Sequence, residues 1–154
     1  MEVRTTRFGV LETVAVADEA LLVFPHGLPG FEHHVHFALL EEPPYLPFCW
    51  LQSLHDPDVA FLLLDPFLLR PDYDFELSPA DVTLLQLDEH TLPRVFCILV
   101  VPRDIWQMTA NLKAPVVVNP RRGLGKQVIL PDDRYPLRHP VLAAQDALQA
   151  AGVP

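Results

Sequence analysis

Cysteine is scarce in this sequence, and long hydrophobic runs are absent from it. The two cysteines, Cys49 and Cys97, lie in apolar stretches without a polarising neighbour. This predicts buried free thiols and argues against a redox or nucleophilic role. No apolar run approaches the ~20 residues that span a bilayer, and residues 1–7 lack the apolar core of a signal peptide. We therefore expect a cytoplasmic protein without a membrane partner.

Proline is abundant, and its abundance indicates the fold class. The 154 residues include 17 prolines but only 6 glycines, and 50% of the residues are hydrophobic. A chain of this length and hydrophobicity predicts one folded domain with its own core. Proline at this density argues against a helix bundle and favours short strands joined by constrained turns. The prediction is a mainly β protein: a small closed or nearly closed antiparallel β-barrel-like domain with one or two short helices.

Hydrophobic runs and turn residues place about ten strands along the chain. The predicted strands cover residues 3–16 (two strands with a turn near Gly9), 21–24, 35–40, 48–54, 59–64, 94–101, 108–112, 115–119 and 126–130. Ser78 is a good N-cap and Pro79 suits the first helical position, which predicts a short helix that ends near Leu87. A second helix is predicted over the alanine-rich residues 141–151.

Charge is distributed unevenly along the chain. The net charge is −9, yet residues 56–89 carry nine acidic residues and one basic residue, and residues 90–139 carry eight basic and three acidic residues. An acidic middle argues against direct binding of nucleic acid, because phosphate contacts need cations, and favours a basic protein partner. The alternative is that the acidic residues only keep a hydrophobic chain soluble.

Acidic and aromatic residues alternate at residues 72–76. As a strand, this segment would place its three carboxylates on one face and both rings on the other, which suggests a docking edge for a cationic partner. The structural alternative is an amphipathic strand with its rings in the core. The candidate partner-binding residues are Asp56, Asp58, Asp72, Asp74 and Glu76.

The histidines at residues 33–36 raise the question of a metal site. His34 and His36 would share one face of a strand, and a His-x-His pair is a common half of a zinc or iron site. The remaining ligands would have to come from His55, His90 or a carboxylate, and no spacing points to them. Surface histidines are the favoured interpretation, and a small metal-dependent β-barrel enzyme built on His34 and His36 is the alternative. The sequence contains no nucleophile elbow, phosphate loop or dinucleotide fingerprint, so we expect no catalysis, metal or cofactor.

Residues 24–31 contain two prolines and two glycines between two phenylalanines. This composition predicts a shaped turn with both aromatic ends in the core. Three further phrases follow in the chain: Leu51-Gln52-Ser53 with Phe61, residues 111–119 (NLKAPVVVN), and Lys126-Gln127-Val128. In this order the phrases resemble the FliW family of flagellar assembly factors. The positions that carry the resemblance are Phe24, Gly27, Leu28, Pro29, Gly30, Phe31, Gln52, Ser53, Asn111, Leu112, Pro115 and Gln127.

The resemblance implies a fold and a function. It covers residues 1–138 as a FliW-like β domain and leaves residues 139–154 as a C-terminal helical tail. Family members are small, monomeric β-barrel-type proteins without known catalysis that bind flagellin in the cytoplasm. They also bind CsrA, an RNA-binding repressor of flagellin translation, away from its RNA-binding face, so that export of flagellin frees the factor to relieve repression. A chaperone that holds only flagellin is a further alternative.

For the phrase at residues 111–119 we favour a structural role. The side chain of Asn111 can hold a turn, and residues 114–115 would set the entry into a strand. A functional role for Asn111 or Gln127 is the alternative, although polar residues beside turns more often satisfy backbone groups.

Overall fold

The computed structural model describes residues 1–142. These residues form ten β-strands, one α-helix and four single-turn 3₁₀ helices. The strands are β1 Glu2–Thr5, β2 Glu12–Ala15, β3 Leu21–Val23, β4 His36–Leu40, β5 Cys49–Ser53, β6 Ala60–Leu64, β7 Arg94–Val100, β8 Thr109–Asn119, β9 Leu124–Gln127 and β10 His139–Pro140. Helix α1 spans Pro79–Leu84, and the 3₁₀ helices span Asp18–Ala20, Pro43–Tyr45, Pro66–Leu68 and Ile105–Gln107. None of the helices within residues 1–142 is long and apolar enough to cross a membrane.

Seven strands close into a barrel. They follow each other in the order β8-β7-β6-β5-β4-β3-β9, and β9 pairs back onto β8. Every pairing is antiparallel except that of β3 with β9, where Val23 lies beside Leu124 in a parallel arrangement. Strand β9 forms a tight antiparallel hairpin with β8. The hairpin fixes the direction of β9, and in that direction β9 lies parallel to its other neighbour, β3. The predicted mainly β, barrel-like domain is confirmed. The barrel is not fully antiparallel as predicted, because the β3–β9 pairing that closes it is parallel.

The barrel interior is filled by alternate residues of the strands. On β8, Val116 and Val118 point into the barrel, whereas Val117 belongs to a cluster on the outside, as expected from the two-residue period of a strand. The buried interior cluster consists of Leu22, Phe24, Leu28, Phe37, Leu39, Cys49, Leu51, Leu63, Phe96, Val116 and Val118. The alternating and continuous apolar runs of the sequence therefore correspond to strands that are buried on one face or on both.

Two layers cover the outside of the barrel. The β1–β2 hairpin covers β4, where Val3 packs against Ala38 and Leu40. On the other side, the connection between β6 and β7 places Tyr73 and Leu85 in one buried cluster with residues of β7 and β8. The strands β7 and β8 are thus covered on both faces over much of their length, which explains why their sequences are almost continuously apolar.

Several predicted boundaries differ from the observed ones. Helix α1 begins as predicted, because the Ser78 hydroxyl accepts a hydrogen bond from the Asp81 backbone N–H. It ends at Leu84, three residues before the predicted end at Leu87. Gln86, two residues after the helix, has a positive φ of 53°. The two strand pieces predicted on either side of residues 113–114 form one strand, β8, that runs through Pro115. The strand predicted at residues 126–130 lies at residues 124–127. The helix predicted at residues 141–151 lies outside the described residues except for its first two positions and stays a prediction.

Candidate partner-binding surface

The turn at residues 24–31 is a structural corner with one exposed end. Phe24 is fully buried and packs edge-on against Phe37, with 5.2 Å between ring centroids. Gly27 has a φ of +61°, and a Cβ atom there would lie 2.6 Å from the backbone oxygen of Phe31, so glycine is required on both counts. The prediction that both phenylalanines lie in the core is wrong for Phe31, which is 37% exposed and contacts Phe61 at the surface.

Histidines in and just before β4 lie close to residues of the β5–β6 turn. The His34 Nδ1 atom lies 2.7 Å from the Ser53 hydroxyl, and the His36 Nδ1 atom lies 3.3 Å from His55 Nε2. Antiparallel pairing of β4 with β5 places Ser53 opposite Phe37, and the Leu54 N–H donates to the His36 carbonyl oxygen. Spacing in the sequence could not reveal this proximity. His90 is bound elsewhere, with its backbone N–H on the Asp88 carboxylate. Within residues 1–142, no three His, Cys, Asp or Glu side chains are grouped in a way that could hold a metal ion.

The Ser53 hydroxyl and the Gln52 amide organise the turn between β5 and β6. Ser53 is buried, and its oxygen accepts hydrogen bonds from the backbone N–H groups of His55 and Asp56. The fully buried Gln52 amide nitrogen lies 3.1–3.3 Å from four carbonyl oxygens of residues 53–59. Because the hydroxyl is buried and occupied, the Ser53–His34 contact is a structural one, unlike the accessible nucleophile of a hydrolase.

The two cysteines are equally unsuited to covalent chemistry. Cys49 and Cys97 are buried free thiols, as predicted. Burial raises the pKa of each thiol to about 12, so almost no thiolate exists at neutral pH. Both side chains therefore serve as packing groups in the barrel wall.

Asn111 and Gln127 hold an irregularity in β8. The Asn111 side-chain oxygen accepts hydrogen bonds from the backbone N–H groups of Lys113 and Ala114, and the Gln127 amide donates to the Ala114 carbonyl oxygen. Leu112 is fully buried beside them. These hydrogen bonds are consistent with the structural role predicted for residues 111–119. Pro115 lies inside β8 and not at its start.

The acidic segment at residues 72–76 begins in a turn and does not join a sheet. Its side chains alternate as predicted, with Tyr73 buried, Phe75 half-buried and the three carboxylates exposed. However, the segment is not a strand, because it forms no ladder with a neighbour. It is held by Tyr135, whose hydroxyl accepts the Asp74 N–H, and by Arg134, which donates to the Asp74 carbonyl oxygen.

The five candidate carboxylates fall into two separate groups. Asp56 and Asp58 lie in the β5–β6 turn, where Asp56 accepts the Asp58 backbone N–H and Asp58 accepts the hydroxyl of Thr6. Asp72 pairs with Arg70, which donates two hydrogen bonds of 3.0 and 3.1 Å and lowers the pKa of the Asp72 carboxyl. Among the described residues, the carboxylates of Asp74 and Glu76 have no cationic or hydrogen-bonding partner. They are the free charges of the set.

An apolar groove lies next to these two carboxylates. It has a volume of about 350 Å³, and Asp74 is the one charged residue among the described residues that line it. We call it the Phe75 groove; it is lined mainly by Phe67, Tyr73, Phe75, Leu77, Leu92 and Val95.

Sequence reasoning missed the Phe75 groove. Leu92 is 87% exposed and Phe67 is 43% exposed, and no sequence pattern marked either residue as part of a binding surface. The available signal was the density of large apolar residues in a segment that also carries most of the negative charge. An exposed apolar patch with a polar rim is typical of a protein-interaction surface.

Comparisons with known proteins give consistent results. The model of the family described as FliW protein matches residues 2–142. A flagellar assembly factor FliW of Caldicellulosiruptor saccharolyticus is 42% identical over 137 residues, which cover 89% of this chain and 88% of the relative. One of Caldanaerobacter subterraneus subsp. tengcongensis is 38% identical over 143 residues, covering 92% and 93%. One of Desulfitobacterium hafniense is 42% identical over 147 residues, covering 96% and 95%.

A solved structure supports the same comparison. A crystal structure of the flagellar assembly factor FliW superimposes with a TM-score of 0.82 at 32% sequence identity. The match covers 94% of this chain and 99% of the crystallised one. The similarity therefore includes the barrel together with both outer layers.

Proposed function

The chain belongs to the FliW family of flagellar assembly factors, and on this premise we propose that it binds flagellin and the translational regulator CsrA in the cytoplasm. In this proposal the protein acts by occupying its partners and catalyses no reaction. Free flagellin and CsrA contend for it. When flagellin is exported, the protein takes up CsrA and relieves the repression of flagellin synthesis.

The family match over residues 2–142 is the observation that carries this proposal. The chemistry of the described side chains is compatible with it. The thiols of Cys49 and Cys97 and the hydroxyl of Ser53 are buried, so none of them can attack a substrate from solvent.

We further propose that the acidic residues contact the partners. Complementary charge mainly sets the rate of encounter and the choice of partner. Asp74 and Glu76 are the best candidates, because their carboxylates are exposed and have no cationic partner among the described residues. Asp72 contributes less free charge because of its pair with Arg70. Asp56 and Asp58 are partly occupied by hydrogen bonds within their own turn.

A competition experiment with purified proteins tests the proposal. Flagellin and CsrA from the same organism are each added to the immobilised protein, first separately and then together. We expect each to bind alone, and we expect rising flagellin to displace CsrA. Binding of flagellin without CsrA would instead favour the flagellin-only chaperone. Binding of neither would overturn the proposed function.

A further inference from the structure

We propose that the exposed segment Asp74–Leu77 and the Phe75 groove together bind an extended segment of a partner protein, in which apolar and basic side chains alternate. The partner segment would lie beside the backbone of residues 75–77 as an added strand. Its apolar side chains would enter the groove, and its cations would meet Asp74 and Glu76. The flagellar identity of that partner rests on the proposed function, whereas the binding chemistry rests on the surface itself.

The backbone of the segment offers unused hydrogen-bonding groups. Within residues 1–142, the N–H and C=O groups of Phe75, Glu76 and Leu77 make no hydrogen bond. The neighbouring Asp74 is fixed by Tyr135 and Arg134, and Ser78 is fixed as the cap of α1. The segment is therefore anchored at both ends with free backbone groups between them, which is the property that strand addition exploits.

The side chains around the segment define which residues can bind. The Phe75 groove is apolar, and Leu92 at its edge is 87% exposed, so burial of an apolar side chain against it is favourable. A volume of about 350 Å³ accommodates only a few side chains, which suits an extended segment better than the long apolar face of a helix.

Charge complementarity selects a basic segment. The exposed Asp74 and Glu76 alternate with the half-buried Phe75 and Leu77, and Asp74 also borders the groove, so carboxylates lie beside the apolar groups. One cation, Arg134, contacts this segment from the side of residues 132–135, and it leaves the two carboxylates without a partner among the described residues. A segment with alternating leucine or valine and lysine matches both kinds of group at once, since its own side chains alternate with the same period.

Two synthetic peptides of equal composition provide the test. Both contain about twelve residues of valine, leucine, lysine and serine; one alternates apolar and basic residues, and the other groups them in two blocks. Titration into ¹⁵N-labelled protein is followed by NMR, and the affinity by fluorescence anisotropy. We expect the alternating peptide to bind more tightly and to shift the amide signals of Phe75, Glu76 and Leu77.

Matched variants distinguish binding at this surface from a general effect of acidic or apolar residues elsewhere on the protein. Glu76→Lys and Leu92→Ser should each weaken binding of the alternating peptide by about tenfold. The control variants Glu19→Lys and Leu11→Ser change an exposed acid in the 3₁₀ helix before β3 and an exposed leucine between β1 and β2, and they should leave the affinity unchanged. Equal binding of both peptides, shifts confined to other residues, or equal weakening by the controls would each overturn the proposal.

The same four variants, tested with flagellin and CsrA, distinguish this inference from the proposed function. Loss of binding to either partner in Glu76→Lys and Leu92→Ser alone would identify this surface as its docking site. If the wild-type protein binds a partner and neither variant weakens binding, the inference is wrong and the proposed function stands. If the wild-type protein binds the peptide as expected but neither flagellar partner, the proposed function is wrong and the surface stands.

Discussion

At the scale of single residues, buried and half-buried side-chain amides hold the backbone of this protein together. Gln52, Asn111, Asn119 and Gln127 all direct hydrogen bonds to main-chain groups of loops or strand irregularities. Buried main-chain groups need such partners wherever the ladder of a sheet is interrupted. In the phrases that resemble the FliW family, Gln52, Asn111 and Gln127 thus each have a backbone partner within the chain.

Substitution of Gln52 tests this explanation. We expect Gln52→Met to lower the free energy of unfolding by about 1–3 kcal/mol, because carbonyl oxygens of residues 53–59 lose a buried donor. Urea denaturation measures the change. The control Gln107→Met alters an exposed glutamine in a 3₁₀ helix and should change stability by less than about 0.5 kcal/mol. Equal effects of the two substitutions would contradict the explanation.

An ion pair near the mouth of the barrel gives a pH-dependent contribution. Arg94 donates hydrogen bonds of 2.8 and 2.7 Å to Glu41, and these bonds lower the pKa of the Glu41 carboxyl. The stabilisation is present above the ordinary carboxyl pKa and is lost as the pH falls through the lowered value of the folded state. Because both side chains are partly exposed, it amounts to less than about 1 kcal/mol.

Glu41→Gln should reveal this contribution. We expect it to reduce the free energy of unfolding at neutral pH by less than about 1 kcal/mol, and the difference from the wild-type protein should shrink towards zero at acidic pH. Urea denaturation at a series of pH values measures both. Glu19→Gln is the control, since the Glu19 carboxylate contacts no cation among the described residues. A difference that persists undiminished in acid would show that the effect does not come from the ion pair.

At the scale of elements, β8 is the strand that organises the barrel. It pairs with β7, β9 and β10, and its sheet register changes within the strand. Between Phe96 and Ile98, a step of two residues along β7 faces a step of five along β8, from Val116 to Asn111. This bulge reverses which residues point inwards, so that Leu112 packs outside the barrel and Val116 packs inside it.

Asn111 is expected to stabilise the bulge through its side-chain acceptor. Asn111→Leu removes the oxygen that binds the backbone N–H groups of Lys113 and Ala114, and should cost about 1–3 kcal/mol of stability. Asn111→Asp keeps an acceptor in place and should cost less. Thermal and urea denaturation of the two variants measure the difference. If Asn111→Asp is as destabilising as Asn111→Leu, hydrogen bonding by the acceptor is not what holds the bulge.

The segment at residues 72–76 illustrates what local pattern can and cannot predict. Alternation of acids and rings correctly predicted which side chains are buried, because burial follows from the period of an extended chain. The pattern would also suit a strand, but none forms there, since a strand also needs a neighbour with which to pair. Whether such a neighbour exists is decided by the path of the rest of the chain.

At the scale of the whole molecule, the acidic middle of the chain lies against basic residues that follow it, since Lys126 forms an ion pair with Asp81 and Arg134 donates to the Asp74 carbonyl oxygen. The connection from β6 to β7 carries most of the acidic residues of the middle region and covers the outer face of β7 and β8. The β8–β9 hairpin carries Arg121 and Arg122 at its turn. The carboxylates of Asp74 and Glu76 stay without a cationic partner among the described residues, so they can attract cations of a partner.

Partner binding should therefore depend on salt. We expect the affinity for CsrA to fall as ionic strength rises from about 0.05 M to about 0.5 M, because screening shortens the range of charge attraction. The double variant Asp74→Asn/Glu76→Gln should show a weaker dependence than the wild-type protein. Isothermal titration calorimetry at several salt concentrations measures the slope.

A second double variant tells the two acidic groups apart. If Asp56→Asn/Asp58→Asn flattens the salt dependence and the first double variant does not, the β5–β6 turn is the contact region. Glu19→Gln serves as the control for a single lost charge outside both groups. An affinity for CsrA that is unchanged across the salt range would exclude a contribution of either acidic group.

The sequence by itself determined the fold class, most strands, the start of α1 and the family, because hydrophobic period, proline position and capping act over a few neighbouring residues. It also determined that Cys49 and Cys97 are buried, since both lie within apolar strands. Only the tertiary structure decided that β9 closes the barrel between β3 and β8, that His55 meets His36, and that Leu92 and Phe75 share a groove. These contacts join residues far apart in the chain, and they depend on strand register and on the path of long connections, which local periodicity does not encode.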